Sequence, residues 1–509
     1  MPVGDPSDSG RGARADQVLD IGVRIANRPA ESMVEAAFAS ELEAERALAP
    51  EMGLADLAHT IMSIEAGIVP AAPGRELLQA LLELHDQPRL LALDPRLGDL
   101  YTNREAWLAD RTEAAGWLGA GRARREATTV AYQLLVRGRL LDLAPALVGL
   151  GDSLTGRALD LREALSPDYT YLRAGQPTSF GHTLLATAFG VLRDLERLRA
   201  LYQRWDHCAA GCGSANGSRL PQDRPLLAAL LGFGGVAEHA RDAMWQADLA
   251  VEALGVAVAA AVNADRLAED LWFYAADEVG LVVISDAHAR ASKIMPQKQN
   301  PYALAYVRAV AHQVLGAQAA VSSAGRTPSG QPDSRIVAYR AVPEAIRAVS
   351  GAVGLLGEVV ADLEADAARG EALLASGFTW ATDLAEALSR EAGLDFRTAH
   401  RAVGTLVREL VSGHGGSVTA ERVAEVAGRI AGRPAPISRD AVERALDPRR
   451  AVAERTGPGG AAPQEVEAMA ARCRAALGEH RAWADATGRR VREGAEALLA
   501  RARALAAGG

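Results

Sequence analysis

A chain of 509 residues is too long for one ordinary core, and a formal charge of −9 argues against a nucleic-acid footprint, which needs a basic patch. Only 5% of its residues are aromatic, and alanine, leucine, arginine and glutamate dominate, which excludes a strand-rich fold. The most apolar run, Leu249 to Val262, is shorter than the roughly 20 residues that a membrane-spanning helix requires, so no membrane partner is expected.

In chain order, residues 1–17 are polar and rich in glycine and serine, with no apolar segment of the kind a signal peptide carries. They read as a disordered lead-in. Residues 33–65 and 76–91 place apolar side chains at intervals of three and four and are expected to be helical. After a loop near 94–100 come three long segments, 124–164, 178–207 and 236–279. In the first, Leu134, Leu135, Leu140, Leu141, Leu143 and Leu147 share one helical stripe; in the second, Leu184, Leu185, Phe189, Leu192, Leu195 and Leu198 do. A glycine-rich stretch, 205–225, reads as a structured loop. Two further helices are expected from about Pro301 to Val321 and from Pro343 to Leu363. Five long amphipathic helices with few breaks imply an all-α bundle, and their extended apolar faces imply burial in a homo-oligomer. Beyond Gly370 the segments shorten, with a linker at His414-Gly415-Gly416 and a loop at 456–463. The expected division is three helical domains: 1–117, the central 118–367, and 368–509.

Cys208, Cys212 and Cys473 are an odd, sparse set, which fits a reduced cytoplasm and no disulfide framework. His207 beside Cys208 and Cys212 lacks a fourth ligand at suitable spacing, and no glycine-rich nucleotide loop is present. Neither a metal nor a cofactor is expected.

Among 55 basic residues only two are lysines, Lys293 and Lys298, and both lie in Ser292-Lys293-Ile294-Met295-Pro296-Gln297-Lys298-Gln299-Asn300-Pro301. A composition that turns lysine into arginine wherever it can keeps lysine where a compact, rotatable ammonium is needed. Lys298 and Asn300 offer donors suited to a carboxylate, next to the Ser292 hydroxyl and ahead of a helix that Pro301 can open. A serine held near an ammonium and helix dipoles can serve as a base. The plainer reading is a basic loop that caps a helix.

This segment resembles the Gly-Ser-Ser-x-Met-Pro-x-Lys-x-Asn signature of the aspartase/fumarase superfamily. With Ser285-Asp286-Ala287 ahead of it, and with Gln297 and Pro301, it is similar to argininosuccinate lyase in particular. Tyr169-Thr170-Tyr171-Leu172-Arg173-Ala174-Gly175-Gln176-Pro177, followed by Gly181-His182, resembles that family's Tyr-Thr-His-Leu-Gln-x-Ala-Gln-Pro. Gly121-Arg122-Ala123-Arg124-Arg125-Glu126 resembles its Thr-Gly-Arg-Ser-Arg-Asn-Asp. The resemblance covers about residues 35–410. It implies a homotetramer with a core of twenty helices, each active site drawing its three segments from three subunits. The implied reaction is β-elimination from a succinyl compound, through an aci-carboxylate, to fumarate. On that mapping Ser292 is the base, Lys298 (as a buried point charge) and Asn300 hold the dicarboxylate, and Arg124, Thr170 and Arg122 make further contacts.

The departures from the family pattern bear on the leaving group. The histidine that helps protonate it is Tyr171 here, and a second family histidine is Tyr101 in Asp99-Leu100-Tyr101-Thr102. The substrate-binding asparagine is Arg125, the second serine of the signature is Lys293, and its leading glycine is Ala291. The set that grips an arginine end would fall near 331–340, and Gly330-Gln331-Pro332-Asp333-Ser334-Arg335 does not reproduce it. A phenol suits hydrogen-bond donation better than proton transfer near neutrality. An acid is dispensable when the nitrogen departs as a stable anion. With Tyr171 as donor and Lys293, Arg125 and Arg173 as extra cations, the expected substrate is nitrosuccinate, giving nitrite and fumarate in a specialised biosynthesis. The alternatives are argininosuccinate or another succinyl amine, adenylosuccinate-type or cycloisomerase chemistry, and a non-catalytic structural oligomer. His182 and His288 lie close enough to these motifs to be weighed as site neighbours.

Overall fold

The computed structural model describes residues 16–413 and 416–508. The expected lead-in falls almost wholly outside that range, as do two residues of the expected linker at 414–416. Among the described residues 69% are helical and 5% are in strands, so the fold is all-α.

The framework is a bundle of five long helices: α4 (Arg124–Asp160), α5 (Phe180–Trp205), α6 (Asp248–Tyr274), α7 (Tyr302–Ala324) and α8 (Asp333–Ala361). Helices α1 (Ala49–Glu65), α2 (Ala71–Asp86) and α3 (Leu100–Ala109) pack ahead of it. The leucine stripes do what their spacing predicts: Leu134, Leu140, Leu143 and Leu147 of α4 and Leu184, Leu185, Leu195 and Leu198 of α5 are buried in one continuous core. Starts are set by side-chain caps. Asp99 accepts the Thr102 amide at 2.8 Å to open α3, and Ser179 accepts the His182 amide at 3.1 Å to open α5. Gly181 follows because a Cβ there would lie 2.2 Å from the Ala158 carbonyl oxygen.

Several expectations are corrected. Helix α8 starts at Asp333 and carries Pro343 inside it, ten residues earlier than the proline suggested. Its first turns pack against the bundle, and that packing outweighs the one backbone hydrogen bond a proline removes. The segment expected as one helix over 236–279 is split, with Ala240–Trp245 preceding α6. The Tyr169–Pro177 motif, which falls between two expected helices, lies on an antiparallel hairpin, β1 (Leu165–Thr170) with β2 (Arg173–Ser179).

Past residue 376, helices Ala381–Ala392, Phe396–Val411, Ala420–Ala431 and Arg439–Leu446 enclose a small separate core around Leu384, Leu388, Leu406 and Val426. Contrary to a tail of short helices alone, the chain then returns as a 44-residue helix, Pro463–Ala506. Its Val466, Met469, Leu477 and Leu498 join the first core against α4 and α5. The first core also runs unbroken from Leu42 to Leu363, across the boundary expected near 117.

Candidate active site

Arg124 and Arg125 open α4, next to Gly121, which adopts a left-handed φ of +73°. The arginines of this motif divide by direction. Arg122 points inward: its Nη2 donates to Asp56 Oδ1 at 2.7 Å, and the other Asp56 oxygen receives Arg104 Nε at 2.9 Å and Nη2 at 2.7 Å. The three side chains are 1–4% exposed, which makes a buried Arg–Asp–Arg triad on α1, α3 and the α4 approach. The assignment of Arg122 as a substrate contact is therefore corrected in this chain, since its charge is already engaged. Tyr101 is also buried, with its phenol pushed up to about 12 by burial, and Arg122 lies 5.6 Å from its ring. Glu126, likewise buried, accepts the Gly211 amide at 2.7 Å and the Gly213 amide, so it pins the 205–225 loop.

Arg124 and Arg125 face a small cavity of about 40 Å³, with Glu41, Glu45, Asp99 and Arg335 among its lining. Arg124 Nε lies 3.0 Å from Asp99 Oδ2. Burial, then the nearby Asp99 charge, raises the Glu45 carboxyl to about 8, and Glu41 is raised for the same two reasons. With Glu45 held neutral, three arginines outnumber the remaining acids, Glu41 and Asp99, and leave this cavity net cationic.

The second motif occupies the tip of the β1–β2 hairpin. Thr170 pairs with Arg173, and the two turn residues, Tyr171 and Leu172, both have φ of +55°. Side chains larger than glycine in that region cost on the order of 1 kcal/mol each, a strain that natural proteins tend to keep at functional positions. Tyr171 is 100% exposed and Leu172 71%. Thr170 and Arg173 are exposed as well. Beneath the tip lies a cleft of about 640 Å³ lined by Tyr171, His182, Arg193, Arg266, Tyr274 and Arg455. His182 is engaged on both ring nitrogens, with Thr178 Oγ1 at 3.2 Å and the Gly459 carbonyl at 3.0 Å.

The third motif is a closed loop. Strands β3 (Arg290–Ala291) and β4 (Gln299–Asn300) pair antiparallel, and the Ser292 amide donates to the Lys298 carbonyl at 3.1 Å. Pro296 sits in the turn closed by the Lys298 amide on the Met295 carbonyl at 3.0 Å. Ser292 Oγ accepts the Met295 amide at 3.0 Å and the Ile294 amide at 3.4 Å. Both donors stabilise negative charge on that oxygen. Asn300 Nδ2 donates to the Arg290 carbonyl at 2.9 Å. Lys293 and Lys298 are both exposed in the single chain. His288 is buried, its Nε2 3.1 Å from Asp362 Oδ2, so it anchors the base of the loop.

One chain does not bring the motifs together. Arg124 starts α4 and the hairpin follows its far end, so 37 residues of helix separate them by roughly 55 Å at 1.5 Å per residue. The Ser292 loop lies at the hairpin's end, where His288 meets Asp362 just past α8, whereas Arg335 lies in the first turn of α8 beside Arg124. Bundle helices also leave Val262, Trp272, Tyr302, Tyr306 and Leu315 exposed.

Sequence reasoning missed Arg335, Glu45 and Trp245. Arg335 fell inside the window searched for an arginine-gripping set, but an arginine there does not match that set's chemistry. Among the described residues no cluster of three or more histidine, cysteine, aspartate or glutamate side chains could hold a metal, and no helix is long and apolar enough to cross a membrane.

A helical bundle with a serine-bearing loop, a hairpin tip and an arginine-headed long helix defines the class: a lyase of the aspartase/fumarase superfamily. Residues 81–316 match the family described as lyase, and residues 378–453 match the argininosuccinate lyase C-terminal family. The argininosuccinate lyase of Methanoculleus marisnigri is 34% identical over 481 residues, covering 92% of this chain and 96% of that one. The crystal structure of EDDS lyase in complex with formate superposes with a TM-score of 0.84 at 26% identity, covering 94% of this chain and 96% of the other. A variant of EDDS lyase with bound fumarate gives 0.83 at 25% identity, with the same coverage. The chain belongs to the argininosuccinate lyase-like branch of that superfamily.

Proposed function

We propose that the protein is a carbon–nitrogen lyase that releases fumarate from a substituted succinate, and that its substrate is nitrosuccinate. The observation that carries the elimination is the Ser292 loop: two backbone amides aimed at Oγ support an alkoxide base. Ser292 takes the proton beside one carboxylate, and Lys298 and Asn300 hold the aci-carboxylate that forms. The C–N bond then breaks to leave fumarate. Fumarate bound to a structural neighbour at 25% identity supports the product.

The choice of nitrosuccinate rests on the leaving-group side. Tyr171 replaces the acid that a basic nitrogen requires, and Arg124 and Arg125 face a cavity whose acids are partly neutralised. Nitrite is a weak base and leaves without protonation. The complete site is proposed to assemble from several subunits of a homotetramer, because the motifs lie at opposite ends of α4 and the bundle exposes apolar side chains. Arg173, Thr170 and Lys293 then reach the substrate from neighbouring chains. A second reading, argininosuccinate as substrate, is favoured by the 34% identity to an argininosuccinate lyase. The test offers nitrosuccinate, argininosuccinate, adenylosuccinate and aspartate to the purified protein and follows the ultraviolet absorbance of fumarate. Turnover of nitrosuccinate is expected. Brisk turnover of argininosuccinate in its place refutes the choice.

A further inference from the structure

Unlike Arg122 and Arg124, Arg335 has, among the described residues, no carboxylate within ion-pair distance, although it is largely enclosed. Its Nη2 is buried without a hydrogen-bond partner among those residues. Its guanidinium lies 4.1 Å from the centroid of the Trp245 ring, and that of Arg125 lies 5.8 Å from the same ring. Two cations thus share one indole, which holds them by cation–π attraction and leaves their N–H edges free. Arg335 lines both the arginine cavity and a second one of about 50 Å³, and Tyr339 lines both as well. The second cavity contains another orphan, the Tyr132 hydroxyl, buried with no partner among the described residues, on a ring that stacks on Tyr339 with centroids 4.5 Å apart. Buried polar groups without partners cost free energy, so such a pair of orphans in adjoining cavities points to an absent polar occupant.

We propose that Arg335, acting with Arg125 across Trp245 and with the Tyr132 hydroxyl, binds a planar two-oxygen group on the leaving side of the substrate. This rests on the reading of the chain as a fumarate-forming lyase. Guanidinium edges match a two-oxygen plane in the way they match a carboxylate. Nitro and carboxylate groups share that geometry. The two cavities are small, about 40 and 50 Å³, which suits a compact nitro group. In the step itself, the proton beside the carboxylate passes to Ser292 and its C–H pair becomes the new C=C bond. The C–N pair departs with the nitrogen as nitrite, whose charge is then shared by Arg335 and Arg125.

The experiment uses full-length wild type, Arg335→Met, Arg335→Lys and a control, Arg340→Met, in which an exposed arginine paired with Glu344 on the same helix is removed. Sodium nitrite, sodium acetate and fumarate are titrated calorimetrically, and fumarate release is followed from nitrosuccinate and from N-(carboxymethyl)aspartate. Arg335→Met is expected to weaken nitrite at least tenfold while fumarate stays within twofold, with a rise in nitrosuccinate KM that exceeds any fall in kcat. Arg335→Lys should recover part of the nitrite affinity, and Arg340→Met should match wild type. If acetate and N-(carboxymethyl)aspartate show the Arg335 dependence and nitrosuccinate does not, the two-oxygen group is a carboxylate. Nitrite binding that depends on Arg335 without any turnover of nitrosuccinate leaves the anion site standing and removes the proposed substrate. A wild type that binds neither nitrite nor acetate, or an Arg335→Met variant that binds nitrite like wild type, overturns the proposal. Should Arg335→Met lose its native oligomer, Arg335→Lys decides alone: affinity equal to wild type for both anions overturns the two-oxygen fit.

Discussion

Replacing Asp56 by asparagine tests whether the buried triad, and not a substrate, engages Arg122. Asp56 receives three charge-assisted bonds at 2.7–2.9 Å from Arg104 and Arg122. Arg122 has no second carboxylate in reach: its Nη1 meets the Ala55 carbonyl at 3.5 Å, and its Nε is buried without a partner among the described residues. The amide introduced by Asp56→Asn would keep one acceptor oxygen and lose the charge, leaving two buried cations side by side. Breaking a buried ion network from one side costs about 3–5 kcal/mol, most of it from the charges left uncompensated. Arg122 also leads directly into Arg124, so the start of α4 should shift and nitrosuccinate KM should rise. Thermal and denaturant unfolding of Asp56→Asn would be measured at one fixed protein concentration, since assembly shifts apparent stability. The double variant Asp56→Asn with Arg104→Met removes one stranded cation and should recover part of the loss. A loss below about 1 kcal/mol for Asp56→Asn, or a double variant no better than the single one, refutes the reasoning.

Three further outcomes are expected. Ser292→Ala should abolish fumarate release and leave fumarate binding within about twofold, because the hydroxyl acts in the transition state; wild-type turnover in that variant removes Ser292 as base. Lys298→Arg should be impaired by about a hundredfold or more in kcat/KM, since a planar fork cannot place a point charge in the same loop; near-normal rates would undo the inference from the two lysines. Glu45 has its folded-state pKa raised to about 8 by burial and then by Asp99, from an ordinary 4.5. Its neutral form therefore stabilises the fold fully below about pH 4.5, and that contribution is lost as pH rises through about 8, by up to about 5 kcal/mol. Glu45→Gln should flatten the fall in melting temperature between pH 6 and 9, and an unchanged slope counts against a buried neutral acid there.

Much of the fold was legible because helix periodicity is local: the leucines of α4 and α5 recur at the spacing that one buried face demands, whatever they pack against. The candidate site was legible for a different reason. Ser292, Lys298 and Asn300 lie within one short loop, and a composition almost without lysine makes that loop, which holds both lysines, conspicuous. Pairings between distant segments were not visible. Arg122 and Arg124 are two residues apart with the same side chain, yet one turns in to Asp56 on α1 and the other out to the cavity. That split depends on which carboxylate the folded chain brings to each. The Pro463–Ala506 helix reads like the short helices before it until α4 and α5 offer it a surface to bury. Arg335 gains its meaning only where Trp245 and Arg125, from other elements, enclose it without supplying a negative charge. Local sequence determined which segments are helices and which loop can carry chemistry; tertiary packing decided which charges are paired, because burial and counter-charge come from residues far along the chain.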